Sequence, residues 1–505
     1  MEALDWLVIG VFFLALIGII VWVVKQKQND SADYFLGGRD ATWLAIGASI
    51  FASNIGSEHL IGLAGAGASS GMAMAHWEIQ GWMILILGWV FVPFYSRSMV
   101  YTMPEFLERR YNPQSRTILS VISLISYVLT KVAVTVYAGG LVFQQVFGIK
   151  ELWGIDFFWI AAIGLVVLTA LYTIFGGMKS VLYTSVLQTP ILLLGSLIIL
   201  VLGFKELGGW DEMMSICSAV TVNEYGDTMT QLIRDNNDPN FPWLGALVGS
   251  AIIGFWYWCT DQFIVQRVLS GKNEKEARRG TIFGAYLKLL PVFLFLIPGM
   301  IAFALHQKYI GAGGEGFLPM LANGSANADA AFPTLVAKLL PAGVKGLVVC
   351  GILAALMSSL ASLFNSSAML FTIDFYKRFK PKTPEKKLVG IGQIATVVIV
   401  ILGILWIPIM RSVGDVLYTY LQDVQSVLAP GIAAAFLLGI CWKRTSAKGG
   451  MWGLIAGMII GLTRLGAKVY YSNTAITDSS MFKYLFYDLN WLFFCGWMFL
   501  FCIIV

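Results

Sequence analysis

Four ionisable residues sit inside long hydrophobic stretches: Glu58, Glu78, Asp261 and Lys288. A charge at the centre of a bilayer costs roughly 2.5–3.5 kcal/mol on insertion scales, so such residues are functional candidates by default. Lys131 is a fifth, for which snorkelling or structural pairing is an equally ordinary reading. His59 follows Glu58, and a lone His at membrane depth also serves as an interhelical hydrogen-bond donor. Two further groups are polar without being mainly charged. The run Ala355-Leu-Met-Ser358-Ser359-Leu-Ala-Ser362 offers hydroxyls among small residues. That pattern suits close helix packing, and it suits equally a hard cation such as Na⁺, which takes hydroxyl and carbonyl oxygens. A helix broken near Ala52 and Ile55 would supply such carbonyls. Gln422, Asp423 and Gln425 precede Pro430-Gly431. Amides and carboxylates facing a cavity suit a polyol, whose hydroxyls both donate and accept. The same groups also work as glue between helices.

What must position these residues is a set of membrane spans. Of 505 residues, 58% are hydrophobic and 12% charged, and mean hydropathy is +0.75. Soluble domains carry about 25% charged residues, so the composition excludes a soluble enzyme or a nucleic-acid binder. The six cysteines form no disulfide framework and no metal spacing. About 20 apolar residues cross a bilayer core. Thirteen stretches qualify: 6–24, 44–70, 79–95, 117–147, 155–175, 181–203, 243–266, 280–305, 342–375, 388–410, 416–441, 449–470 and 490–505. The first opens with Glu2 and Asp5 and is followed by Lys25 and Lys27, which predicts an outside N-terminus and argues against a cleaved signal. Alternating from there collects most of the 34 Lys and Arg, Arg267 among them, in inside loops, as the positive-inside rule demands. The last stretch stops at Val505 in mid-helix and reads as truncated.

Two spans are irregular. Residues 48–71 place Asn54, Glu58 and His59 among five glycines, and the glycines alone have a packing explanation. Residues 243–266 run through Trp256, Tyr257 and Trp258 into Asp261 and Gln262 before turning apolar again, which fits a broken helix better than an interfacial belt. These two open blocks of five spans each, and an odd count inverts the second block relative to the first. Paired broken helices in inverted halves point to a transporter's binding site. The expected organisation is an all-α polytopic membrane protein with a five-plus-five inverted repeat. It comprises a peripheral N-terminal helix at 1–30, a first repeat at 44–203, an external loop at 204–242, a second repeat at 243–441 and peripheral helices at 449–505.

At these residues the chain closely resembles the sodium/glucose cotransporter family of the solute:sodium symporters. The resemblance is carried by FASNIGSEHLIGLAGAGASSG, MPEFLERRY, LYTIFGGMKSVLYTSVLQT, WYWCTDQFIVQRVLS, GAYLKLLPVFLFLIPGM, LMSSLASLFNSSAMLFTIDFY and FLLGICWKR, in order over most of the chain. It implies a transporter, not an enzyme, that moves Na⁺ with a sugar by alternating access and uses no organic cofactor. It implies sugar-site roles for Asn54, His59, Glu78, Tyr257, Trp258, Lys288 and Gln422, with Tyr257 as an inner gate. It implies a sodium site at Ala52, Ile55, Ala355, Ser358 and Ser359, the first three through carbonyls. Glu58, Asp261 and Gln262 stand as gating or coupling candidates. The family has 14 transmembrane helices, and this chain would lack the last.

Three departures from the family pattern refine the expectation. Ser185 stands where most members have Asp, and Ala361 lies beside Ser362 where two-sodium members tend to pair hydroxyls. Both favour one Na⁺ per sugar. Gln425 replaces a frequent Thr near the sugar, and Glu58-His59 is similar to inositol-transporting relatives. The expected cargo is a hexose of the glucose or galactose kind. Myo-inositol or another organic solute is the alternative, and a sodium-independent polyol uniporter a further one. The expected partners are the lipid bilayer and a small polyhydroxylated solute, with no nucleic acid, in the plasma membrane or a bacterial inner membrane.

Overall fold

The computed structural model describes residues 1–26, 30–56, 58–321, 324–413, 417–472 and 480–505; the side chains of 129, 130, 409–413, 417–423 and 472 lie outside the description. Helices account for most of it, and those used below are numbered in chain order. They are α1 (Ala3–Val24), α2 (Trp43–Asn54), α3 (Ala64–Ser70), α4 (Ala75–Ile79), α5 (Pro113–Ser126), α6 (Ala133–Phe147), α7 (Phe157–Leu207), α8 (Trp243–Phe255), α9 (Gln262–Leu269), α10 (Glu274–Leu287), α11 (Ile297–Gly311), α12 (Val344–Met369), α13 (Glu385–Val413), α14 (Leu417–Cys441), α15 (Ala447–Ser472) and α16 (Trp491–Ile504). Among the described residues nine helical segments are long and apolar enough to cross a membrane, or ten with the bent pair at Met481–Ile504. Among the described residues, all thirteen stretches read from the sequence are mainly helical. The lower count arises because α2 and α6 are short and α7 holds two stretches in one helix. The division inside α7 falls at Gly177, with φ +53° and ψ −148°. A Cβ there would lie 2.4 Å from the Tyr34 carbonyl oxygen, so only glycine fits that turn.

Both anticipated breaks are present. α2 stops at Asn54, where Ile55 is extended (ψ 101°), and Glu58–Leu63 then forms a π-helical turn leading into α3. α8 runs into a second π-turn, Trp256–Thr260. Asp261 is extended, and its carboxylate accepts from the Phe263 amide to start α9. A third interruption separates α10 from α11, where Pro291 follows Lys288 and a π-turn spans Val292–Leu296. Proline offers no amide to the preceding turn, so the chain opens where Lys288 stands. π-turns are rare and gather at functional sites.

The centre of the molecule is α12, buried along almost its whole length and flanked by α2 and α7. Glycines set the close approaches. A Cβ on Gly67 would lie 2.3 Å from the Leu296 oxygen, and one on Gly299 would lie 2.0 Å from the Ala64 oxygen. α3 and α11 therefore cross backbone to backbone.

The 204–242 segment is packed and not a free connector. Met72 N donates to Met229 O (2.7 Å), and Arg234 donates to the Ser70 carbonyl at the end of α3. Burial pulls the Asp238 carboxyl upward, yet the Phe241 and Asn240 amides, Asn223 and Arg234 hold it below the usual carboxylate range.

Asp329, in the loop after α11, abuts Gly65 of α3, and burial pushes it up to about 6. A carboxyl whose folded value exceeds its unfolded one stabilises fully below pH ~4, and that contribution is lost as pH rises through 6. Asp329→Asn should therefore raise the melting temperature of the detergent-solubilised protein at pH 7.5, by up to about 3 kcal/mol of stability. The gain should vanish near pH 4, and a gain independent of pH would exclude this origin.

Candidate functional site

The breaks converge on one narrow cavity, lined by side chains from each of them. Asn54 comes from the last turn of α2, Glu58 and His59 from the first π-turn, and Glu78 from α4. Tyr257 and Trp258 come from the second π-turn, Lys288 from the end of α10, and Gln425 from α14. Most of these groups satisfy one another. Lys288 Nζ lies 2.6 Å from Glu78 Oε2 and 2.9 Å from His59 Nε2, with Glu78 Oε1 3.2 Å from the same nitrogen. Lysine only donates, so Nε2 accepts and the proton resides on Nδ1, which has no partner. Asn54 Nδ2 donates to Tyr257 OH (3.0 Å), leaving Asn54 Oδ1 free. Lys288 also lies 5.6 Å from the centre of the Trp258 ring. The result is an aromatic-walled chamber with unused donors and acceptors, suited to a neutral polyhydroxylated ring that can stack and hydrogen-bond.

Behind Tyr257 lies a second charged pair. Lys131 Nζ is 2.7 Å from Asp261 Oδ2 and 4.6 Å from the Tyr257 ring centre, and Tyr127 OH donates to Asp261 Oδ1. Tyr127 and Lys131 share a π-turn, Tyr127–Val132, between α5 and α6. The pair thus ties that element to the α8–α9 break directly beside the aromatic wall.

One residue before Asn54, the chain enters a cluster of hydroxyls. A helix leaves its last four carbonyls without intrahelical amides, and here Ser53 O takes Ser359 Oγ instead (2.7 Å). Ser359 Oγ is also 3.4 Å from Ile55 O. Ser53 Oγ lies 2.7 Å from Ser362 Oγ and 3.4 Å from Ser358 Oγ, and Ser185 Oγ lies 3.2 Å from Ser358 Oγ. A Cβ on Gly56 would lie 2.8 Å from Ser359 Oγ, so that glycine admits α12 to the break. Neutral hydroxyl and carbonyl oxygens of this kind suit a hard monovalent cation.

The site residues read from the sequence fall in two groups plus outliers. Asn54, Glu58, His59, Glu78, Tyr257, Trp258, Lys288 and Gln425 share the cavity. Ser358 and Ser359 meet the break that follows Ala52 and includes Ile55, and Ala355 lies one turn earlier on α12. The Gln422 side chain lies outside the described residues. Gln262 does not face the cavity; it accepts from Met103 N (2.8 Å) and holds the Tyr101–Met103 loop. Arg267, assigned from the sequence to an inside loop, is 1% exposed. Its Nε donates to Ser49 Oγ (3.1 Å) and Ser53 Oγ (3.2 Å). Sequence reasoning passed over Gln80, Trp77, Ser49 and Ser53. Ser53 was discoverable, because a serine beside a helix break faces whatever the break faces.

A helical membrane protein in which two broken helices enclose a polar cavity, with a hydroxyl–carbonyl cluster adjoining it, has the architecture of a cation-coupled transporter. The Sodium:solute symporter family model matches residues 34–457, and the chain belongs to that family. It is 39% identical over 479 residues to the human (Homo sapiens) sodium/myo-inositol cotransporter 2, covering 92% of this chain and 70% of that protein. It is 37% identical over 516 residues to the rat (Rattus norvegicus) sodium/glucose cotransporter 2, covering 97% and 75%. Its fold is similar to that of a solved Na⁺-coupled sialic acid symporter at 23% identity, with a TM-score of 0.79 over 100% of this chain and 96% of the other. The chain therefore has the inverted-repeat transporter fold and is a multi-pass membrane protein and a sodium-coupled symporter of a small solute.

Proposed function

We propose that the cargo is a hexose of the glucose or galactose kind, carried with one Na⁺ per sugar by alternating access. The observation that supports this most is the cavity, where Glu78, Lys288 and His59 form one polar wall and Tyr257 and Trp258 an aromatic one. In this reading Na⁺ is held by the carbonyls of Ala52, Ile55 and Ala355 and the hydroxyls of Ser358 and Ser359. It braces α2 against α12 and pre-forms the sugar chamber. Sugar hydroxyls bond to Asn54, His59, Glu78, Lys288, Gln422 and Gln425 while the ring stacks on the aromatics. Tyr257 acts as the inner gate, with Glu58 and Asp261 coupling its movement. The two ligands cooperate because both favour the same conformation. The halves 44–203 and 243–441 serve as the inverted repeats. The loop at 204–242 covers the external side, and 1–30 and 449–505 are peripheral. The N-terminus faces outside and the chain resides in the plasma membrane, or in the inner membrane of a bacterium.

One observation favours myo-inositol instead. Glu58 faces the cavity and takes part in no ion pair or hydrogen bond to a described residue, and a free carboxylate calls for a donor. A cyclitol has a hydroxyl at every ring carbon, whereas a pyranose has an acceptor-only ring oxygen. The identity to a myo-inositol cotransporter points the same way. Proteoliposomes with an inward Na⁺ gradient separate the readings. Galactose should accumulate and outcompete myo-inositol, with charge and sugar entering in a ratio near one. A ratio near two would overturn the stoichiometry, the reverse order of competition the hexose, and uptake indifferent to Na⁺ the symport.

A further inference from the structure

We propose that Gln80 is a substrate-binding residue, donating through Nε2 to a hydroxyl oxygen of the transported ring, and that Gly254 is the gap that admits it. The inference rests on the cargo being a polyhydroxylated ring. Gln80 joins α4 to the next short helix and lines the cavity beside Glu78 and Lys288. It is 4% exposed, its amide bonds to no described residue, and Nε2 is fully enclosed. Leaving a buried amide donor unpaired costs the desolvation of that group, and native structures rarely tolerate it without a ligand or water.

The neighbouring carboxylate does not relieve it: Glu78 pairs with Lys288, and Gln80 Nε2 has no partner among the described residues. Gly254 on α8 explains how the side chain comes to be there. A Cβ at position 254 would lie 2.6 Å from Gln80 Oε1 and 3.2 Å from Cδ, so the amide fills the volume that any larger residue would claim. The chamber's unused groups are then complementary. Glu58 and Asn54 Oδ1 accept, while His59 Nδ1 and Gln80 Nε2 donate. A ring of hydroxyls, each with one proton to give and two lone pairs to receive, uses both kinds.

The experiment uses the full chain in proteoliposomes and monodeoxy and monofluoro analogues of whichever of galactose and myo-inositol the wild type takes up. Gln80→Leu should raise the half-saturating substrate concentration roughly tenfold. Stabilisation by Na⁺ in a thermal-shift assay without sugar should be unchanged, which also reports folding. Gly254→Ala should reproduce much of the loss by displacing the amide. At one ring position the deoxy analogue should bind wild type about tenfold more weakly and lose nothing further in Gln80→Leu. The fluoro analogue at that position, which keeps an acceptor, should remain sensitive. An equal penalty across every analogue, or an unmoved half-saturating concentration in Gln80→Leu, overturns the assignment. Should Gln80→Leu fail to fold, Gln80→Asn takes its place, and the same position-specific coupling is required of it. Wild type that responds to Na⁺ yet takes up neither parent solute refutes the polyol reading itself, and this assignment with it.

Discussion

Lys288→Met should abolish sugar uptake and also lower the stability of the empty carrier, whereas Glu78→Gln combined with Lys288→Met should restore stability alone. Removing one partner of a buried ion pair leaves the other charge uncompensated, at about 3–5 kcal/mol, while removing both is often close to neutral. Here the stranded group would be Glu78, 1% exposed and held 2.6 Å from the lysine. The double variant retains a chamber of similar volume without its carboxylate and its ammonium donor. Melting curves in detergent read the first effect, and uptake in proteoliposomes the second. Recovery of transport in the double variant would show that the pair serves folding and not the sugar.

Ser359→Ala should raise the Na⁺ concentration needed for half-maximal uptake by roughly tenfold or more, with the protein still folded and inserted. Ser359 Oγ is the hydroxyl that reaches from α12 to the carbonyls on both sides of Asn54, at 2.7 Å from Ser53 O and 3.4 Å from Ile55 O. Its loss removes the tie between α12 and the broken helix, and at the proposed sodium site it would take away one ligand. Sugar affinity at saturating Na⁺ should fall less, because Asn54 and His59 remain. An unchanged Na⁺ dependence would move the cation elsewhere and reduce the serine cluster to packing.

The features read most directly from the sequence were those in which a local pattern conflicts with its surroundings. A charge in a hydrophobic run is costly wherever the run ends up, so Glu58, Glu78 and Lys288 announced the cavity before any fold was known. The breaks were legible for a related reason, since Asn54 and Asp261 interrupt apolar periodicity. Pairings across the chain were not. Nothing near Lys131 names Asp261, 130 residues away, and nothing near Arg267 says that it folds back on Ser49 and Ser53. Its position after a polar stretch imitates a loop. Gln80 escaped notice because one amide amid apolar residues is unremarkable until its missing partners are seen. Gly177 hid a span boundary, because helix runs on both sides of it.

The ionic groups around the cavity differ in how they meet an electric field. Glu78 and Lys288 form a neutral unit at 2.6 Å, so any motion that keeps them together moves no net charge through the membrane. The potential acts with roughly 2.3 kcal/mol per elementary charge over 100 mV, and on that unit it has nothing to grip. The serine cluster is different. Its oxygens are uncharged, so a cation seated there keeps its full charge and feels the voltage entirely. The membrane potential therefore works on a seated cation and not on the Glu78–Lys288 pair. The backbone shared by Ser53 and Asn54, adjacent residues that face the two halves of the site, links that work to the substrate cavity.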